Sequence, residues 1–280
     1  MYFDVIKNYY DFSFFRFIDN KNIFICNGCK YYITCFDSKS ESFDCLKMSF
    51  SVLNCYKPVY NKFHSYITEY KNLFLIVFFI NDYMFDSSFL YKPLAYSKKI
   101  YLEWRNNWIY KANYIRTFYL SIRRRYPLID ESINYYLGLL DFCIYLLNNY
   151  NDYFDCGYIQ HKRFLLSEYF NPIYFKIDVK ERDFADYLKY LFFSDEYKSI
   201  NISELIFYGR NLFNYDLVFI RLVFPDYYFD VFDNIILEKE NCVSLYTIIN
   251  HQSSYINYIK KIRKEIEKVY PIKKDIDLIS

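Results

Sequence analysis

Glycine is scarce in this chain: 4 residues of 280, alongside 6 prolines and 3 histidines. So few backbone breakers exclude long flexible linkers, which depend on glycine, serine or proline. Net charge is lacking too, with Lys plus Arg at 35 against Asp plus Glu at 33. No overall field draws the chain to nucleic acid or to an anionic membrane surface. The one dense basic run, Arg123-Arg124-Arg125 between Tyr119 and Tyr126, is too narrow for the several phosphate contacts that nucleic-acid binding needs. It reads as a solvated helix end. Long apolar runs are missing as well: the longest, Leu73 to Ile80, closes at Asn81-Asp82, whereas a helix crosses a bilayer with about 20 apolar residues. Met1-Tyr2-Phe3-Asp4 has no basic region followed by an apolar stretch, so no signal peptide and a cytoplasmic location are expected.

What the chain does have is apolar mass. Hydrophobic residues make up 54%, enough to bury a sizeable core and to exclude a disordered protein. The 36 Tyr and 30 Phe, with abundant Ile, Asn and Lys, match an AT-rich coding sequence, so aromatic stripes are not read as ligand-stacking surfaces. Cysteines at 26, 29, 35, 45, 55, 143, 156 and 242, without a secretory signal, are expected to be reduced core residues. Cys26-Asn27-Gly28-Cys29 has the spacing of half a zinc knuckle, and Cys35, Cys45 or Cys55 would have to complete it. The simpler reading is a hairpin, because Asn-Gly between apolar runs is a strong turn signal.

The first third of the chain alternates short aromatic and β-branched runs with turn residues. Phe14 to Ile18, Ile23 to Cys26 and Tyr31 to Phe36 form a predicted three-stranded meander. Ser38 to Asp44 reads as a loop, Leu46 to Tyr56 has no clear pattern, and Phe63 to Ile67 with Leu73 to Ile80 reads as a strand pair around Tyr70-Lys71-Asn72. Beyond Asp82 the period becomes helical. Ile133, Leu137, Leu140, Ile144 and Leu147 mark one helix, with Asp130 as its expected N-cap; Asp183 is expected to cap a second from 183 to 193. Helices over 216–229 and 255–270 follow, the last with Ile256, Ile259, Ile262, Ile266 and Val269 inward. The expected architecture is therefore α+β, a β-rich region over 1–82 and a helical region over 83–280.

Between the helices ending near Tyr150 and starting at Asp183 stand Gln160-His161-Lys162-Arg163, Asn171-Pro172, Phe175-Lys176-Ile177-Asp178 and Arg182-Asp183-Phe184-Ala185-Asp186-Tyr187-Leu188. This order resembles the catalytic segment of the aminoglycoside phosphotransferases, whose fold is two-lobed and protein-kinase-like. With Tyr135-Tyr136-Leu137-Gly138-Leu139 and Arg221 to Asp230, over roughly residues 130 to 235, it is most similar to their divergent spore-coat-associated branch. The resemblance implies that His161 braces the catalytic loop and that Asp178 stands at the magnesium-binding position.

The departures are as telling. Arg163 stands where the family has its catalytic aspartate, and a guanidinium that stays charged accepts no proton. Glu168 stands where a magnesium-binding asparagine is expected, with Asn171 off register. Tyr31 to Phe36 offers no inward lysine to pair with phosphates, and Asp19-Asn20-Lys21-Asn22 replaces a glycine-rich loop. One carboxylate, Asp178, makes a poor magnesium site without further ligands. The expected function is thus a kinase-like body lacking phosphotransfer activity, a binding or scaffold module for a protein partner or a small molecule, with no cofactor. The alternative is a divergent phosphotransferase using ATP and magnesium, with Asp178 on the metal and Glu168 replacing the usual base. His64 and His251 have no partner at a telling spacing, and the pairs Asp152/Asp155 and Asp230/Asp233 read as solvated.

Overall fold

The computed structural model describes residues 1–18, 22–52, 56–81, 100–122, 126–162, 164, 171–237 and 242–272. In chain order the first elements are α1 (Tyr2–Tyr9), β1 (Phe15–Phe17), β2 (Ile23–Cys26), β3 (Cys29–Phe36), α2 (Lys39–Val52), β4 (Tyr56–Pro58), β5 (Ile67–Tyr70) and β6 (Leu73–Ile80). Then come β7 (Ile100–Tyr101), α3 (Trp104–Ile122), α4 (Pro127–Leu146), β8 (Phe154–Asp155), β9 (Tyr158–His161) and β10 (Phe175–Asp178). Five helices complete the chain: α5 (Glu181–Phe193), α6 (Ile202–Gly209), α7 (Tyr215–Val223), α8 (Asp226–Ile236) and α9 (Val243–Glu267). The arrangement is α+β, β-rich at the start and helical afterwards, as expected. Two compact units emerge, one of Met1–Lys98 with Gly157–Asp178, the other of Lys99–Cys156 with Val179–Ser280. The 157–178 segment thus groups with the β-rich residues, whereas the sequence places it in the region beyond residue 83. Among the described residues no helix is long and apolar enough to cross a membrane.

The first unit is built on a six-stranded sheet in the order β1-β2-β3-β6-β4, with β5 also paired to β6. Local turn chemistry sets its hairpins. Asn27 and Gly28 both have positive φ, 50° and 75°, the twist that a two-residue connection between right-twisted strands requires. Cys26 and Cys29 sit opposite each other across that turn, one buried and one exposed, so this C-x-x-C is the flank of a hairpin. Lys71 and Asn72, at 51° and 62°, repeat the geometry between β5 and β6. The expected strand over Phe63–Ile67 starts later, because His64 takes φ 56° in the preceding loop.

Alternation along the strands builds two apolar faces. Phe24, Ile33, Leu75 and Val77 pack with Val5, Ile6 and Tyr10, which α1 and the residue after it contribute. Tyr32, Phe36, Ile76, Phe78 and Ile80 pack on the opposite face with Cys45 and Leu46 of α2. Helix α2 corrects the expected loop over 38–44 and runs on into the patternless stretch as far as Val52. Its buried residues among those described are Ser42, Cys45, Leu46, Met48 and Ser49, and two of these five are serines. Their hydroxyls are satisfied within the helix, Ser42 on the Lys39 carbonyl at 2.7 Å and Ser49 on that of Leu46 at 2.8 Å. Helical spacing was present, but hydrophobicity did not mark it.

The second unit holds one continuous core in which Ile133, Leu140, Ile220, Phe232 and Ile262 are fully buried. The predicted stripe of α4 faces it, as do Ile259, Ile262, Ile266 and Val269 of the stripe predicted for the last helix, whereas Tyr255 and Tyr258 take the inward place expected of Ile256; α9 begins at Val243 rather than 255. Its first half carries Leu245 and Ile248 among polar residues that hide the period. The helix expected over 216–229 is two helices. Phe224 takes ψ 121° because a residue before proline is pushed out of the helical region, and Pro225 starts α8. The expected caps also differ. Helix α4 starts with Pro127 at its first turn, so Asp130 is internal and instead accepts from the Tyr119 hydroxyl. Asp183 likewise lies inside the first turn of α5.

Candidate functional site

Strands β9 and β10 form an antiparallel hairpin with His161 opposite Phe175 and Asp178 opposite Tyr158. Its entry is built by the Asn171-Pro172 turn: the Asn171 side-chain oxygen accepts the Ile173 N–H at 3.2 Å, and the Asn171 carbonyl accepts that of Tyr174 at 3.1 Å. The Lys162 N–H donates to the Tyr174 carbonyl and extends the pairing. Ile173 packs into the cluster that holds Cys45 and Leu46, so the hairpin rests on α2 within the first unit. Burial pushes the Cys45 thiol up to about 12, with Lys162 pulling weakly the other way; the group stays a thiol and packs as an apolar one.

His161 is fully buried. Its ring lies edge-on to Phe175, centroids 5.0 Å apart, and to Phe164 at 5.6 Å. Asp178 is buried, and its carboxylate oxygen stands 2.6 Å from Lys176 Nζ. The contact follows from strand geometry, since residues two apart share a face, and the Phe-Lys-Ile-Asp pattern carries that signal in plain sight. The sequence reading weighed Asp178 alone. Arg163 and Glu168 lie outside the described residues, as do Arg123 to Arg125 and Asp19 to Lys21.

Strand β3 extends to Cys29, which brings Lys30 into it at the turn end. The positions sharing its face are Tyr32, Thr34 and Phe36, all buried. Tyr32 and Phe36 are the ones that pack with Cys45 and Leu46 of α2.

A magnesium ion belongs to the phosphotransferase alternative, and the donors among the described residues do not fit one. Asp178 carries an ammonium against its carboxylate, the Asn171 oxygen is taken by a backbone N–H, and among the described residues no group of three or more His, Cys, Asp or Glu could hold a metal. A hard dication needs several oxygens free of competing cations.

The second set of motif residues gathers in the helical unit. Asp186 of α5 receives a two-pronged contact from Arg221 of α7, Nε to Oδ1 at 2.9 Å and Nη2 to Oδ2 at 3.0 Å. The same Nη2 reaches Asp226 at the start of α8 at 2.8 Å. Lys189 donates to Asp226 at 2.7 Å and to the Phe224 carbonyl at 2.9 Å, and Arg182 Nε lies 3.8 Å from Asp186. Burial alone would raise the Asp186 carboxyl, but Arg221, Lys189 and Arg182 outweigh it and hold it near 2. Burial lowers Lys189, against the pull of Asp226. Trp108 stacks on Phe224 at 4.0 Å, and the Arg221 guanidinium lies 5.4 Å from that ring, which covers the Arg221 side of the network and leaves Asp226 partly exposed. The Arg182–Lys189 and Arg221–Asp230 motifs therefore tie three helices together through charge. The overlooked signal was positional: Arg182, Asp186 and Lys189 fall at helical spacing with Ala185 on the buried side of α5. Asp233, read as solvated, is paired with Lys111.

No known protein family's sequence profile matches the chain, and no curated protein sequence does. Among solved structures it is similar to a spectinomycin phosphotransferase determined with ADP and spectinomycin, at 12% identity over 95% of this chain and 96% of that one, with a TM-score of 0.47. At that identity and score the likeness transfers no residue role.

Proposed function

We propose that the protein has a kinase-like body of the aminoglycoside phosphotransferase type that has lost phosphotransfer chemistry, and that it works as a binding or scaffold module. The observation that carries this reading is the Lys176 ammonium 2.6 Å from the buried Asp178 carboxylate. A cation at this range neutralises the charge a metal would need. The buried Tyr32, Thr34 and Phe36 on the α2 side of β3 support it, since the lysine of that face, Lys30, stands at the turn end of the strand rather than among them. In this reading His161, buried against Phe175, is a brace of the hairpin, and Arg163 and Glu168 are remnants of the lost machinery. The module's partner in this reading is a protein or a small molecule.

The test is thermal unfolding with and without Mg-ATP. A ligand at 100 times its dissociation constant stabilises by about 2.7 kcal/mol, and the expected result is no shift up to millimolar nucleotide. A shift that disappears in Asp178→Asn, with turnover of a small alcohol, would instead establish the divergent ATP-dependent phosphotransferase, for which a buried carboxylate at the end of β10 is the favouring observation.

A further inference from the structure

In the second unit a buried carboxyl joins two helix starts. Glu181, the first residue of α5, is fully buried. One of its oxygens accepts the Asn214 N–H at 2.9 Å, and the other is buried without a hydrogen-bond partner. Asn214 is the N-cap of α7, its side-chain oxygen accepting from the Asp216 N–H at 3.1 Å and from the Tyr270 hydroxyl at 3.3 Å. Buried oxygens are rarely left unpaired, because the lost hydration is not replaced. The charged and titratable groups around Glu181 are few. Lys180 and Asp155 face each other at 3.8 Å; Asp216 accepts from the Tyr150 hydroxyl at 2.5 Å; and Tyr270 approaches from the end of α9. No cation is bonded to Glu181 itself among the described contacts.

We propose that Glu181 is a proton-operated latch, holding the start of α7 to the start of α5 while its carboxyl is neutral and loosening as the proton leaves. Burial, with a smaller push from Asp155, carries the group from 4.5 to about 7, against the Asn214 N–H, its own N–H and Lys180. Opening the junction returns the carboxylate to water, where the proton leaves near the ordinary value. A folded-state value above the open-state one means that the latch is tightest in mild acid. It loosens as pH rises toward 7 and is fully loosened above that.

Hydrogen exchange of the Asn214, Tyr215 and Asp216 amides on the whole protein, corrected for intrinsic exchange, reads the opening equilibrium. The expected result is a rise of about 30-fold between pH 5 and pH 7, levelling above pH 8, by proton linkage. Glu181→Gln, which keeps an acceptor and has no proton to lose, should show no rise. Equal corrected opening at both pH values in the wild type, or an undiminished rise in Glu181→Gln, overturns the latch. Should that variant not fold, a carboxyl-carbon NMR titration of the wild type decides: titration near neutrality supports the latch, and titration near 4.5 overturns it.

Discussion

Asp186→Ala is the sharpest perturbation of the helical unit. It removes the anion between Arg221 and Lys189, which are 4% and 6% exposed, and leaves Asp226 as the carboxylate both still contact. Two buried cations then share one partly exposed anion. Breaking a buried pair by deleting one partner costs about 3 to 5 kcal/mol, because the remaining charge is neither hydrated nor matched. For a chain of this size about 1 kcal/mol shifts the midpoint by roughly 2 to 4 °C, so a fall of roughly 6 °C or more is expected in thermal unfolding. The comparison is Arg116→Met, which breaks an ion pair of the same quality, 2.6 Å to Asp141, but with side chains 45% and 52% exposed. Exposed pairs contribute at most about 1 kcal/mol. If the two substitutions cost the same, burial is not what gives the network its strength, and the assignment of Asp186 as the junction of α5, α7 and α8 is wrong. Acid supplies an independent check. A carboxyl lowered from 3.8 to about 2 contributes stability that is present above about pH 4 and lost as pH falls through 2. At about 1.36 kcal/mol per unit that is on the order of 2 kcal/mol, and Asp186→Ala should flatten the corresponding limb of the wild-type acid profile.

Two further outcomes follow from packing. At Gly209, which ends α6, an added Cβ would sit 2.6 Å from the Tyr215 hydroxyl oxygen and 2.8 Å from the Phe213 ring. Gly209→Ala should therefore lower stability by about 1 to 3 kcal/mol in urea unfolding, and an unchanged midpoint would contradict the contact. In the native protein at pH 8, a disulfide reagent should label the exposed Cys29 and Cys156 within minutes and spare the buried Cys45, whose thiol is pushed up to about 12; rapid labelling of Cys45 would show that α2 does not hold it in the core.

By itself the sequence determined whatever rests on contacts between near neighbours in the chain. The Asn27-Gly28 hairpin, strand β6 and the α4 stripe were all legible, because turn chemistry and periodicity are short-range signals. Even the Lys176–Asp178 pair was within reach, as two residues on one face of one strand. Helix α2 was not, since two serines interrupt its buried stripe, and only a sheet face covered by Cys45 and Leu46 makes that stripe an interior. Helix boundaries moved where a proline or a polar run interrupted the pattern, as at Pro225 and before Tyr255. Tertiary structure alone decided the fate of the charges. Asp183 reads as a helix cap, and Asp186 carries no sign of burial until α7 brings Arg221 to it from 35 positions away; Glu181 carries none until Asn214 bonds to it. Ionisable side chains are expected in water. Their desolvation is set by what packs over them from distant parts of the chain, and it is this that makes Asp186 a strong acid and Glu181 a weak one.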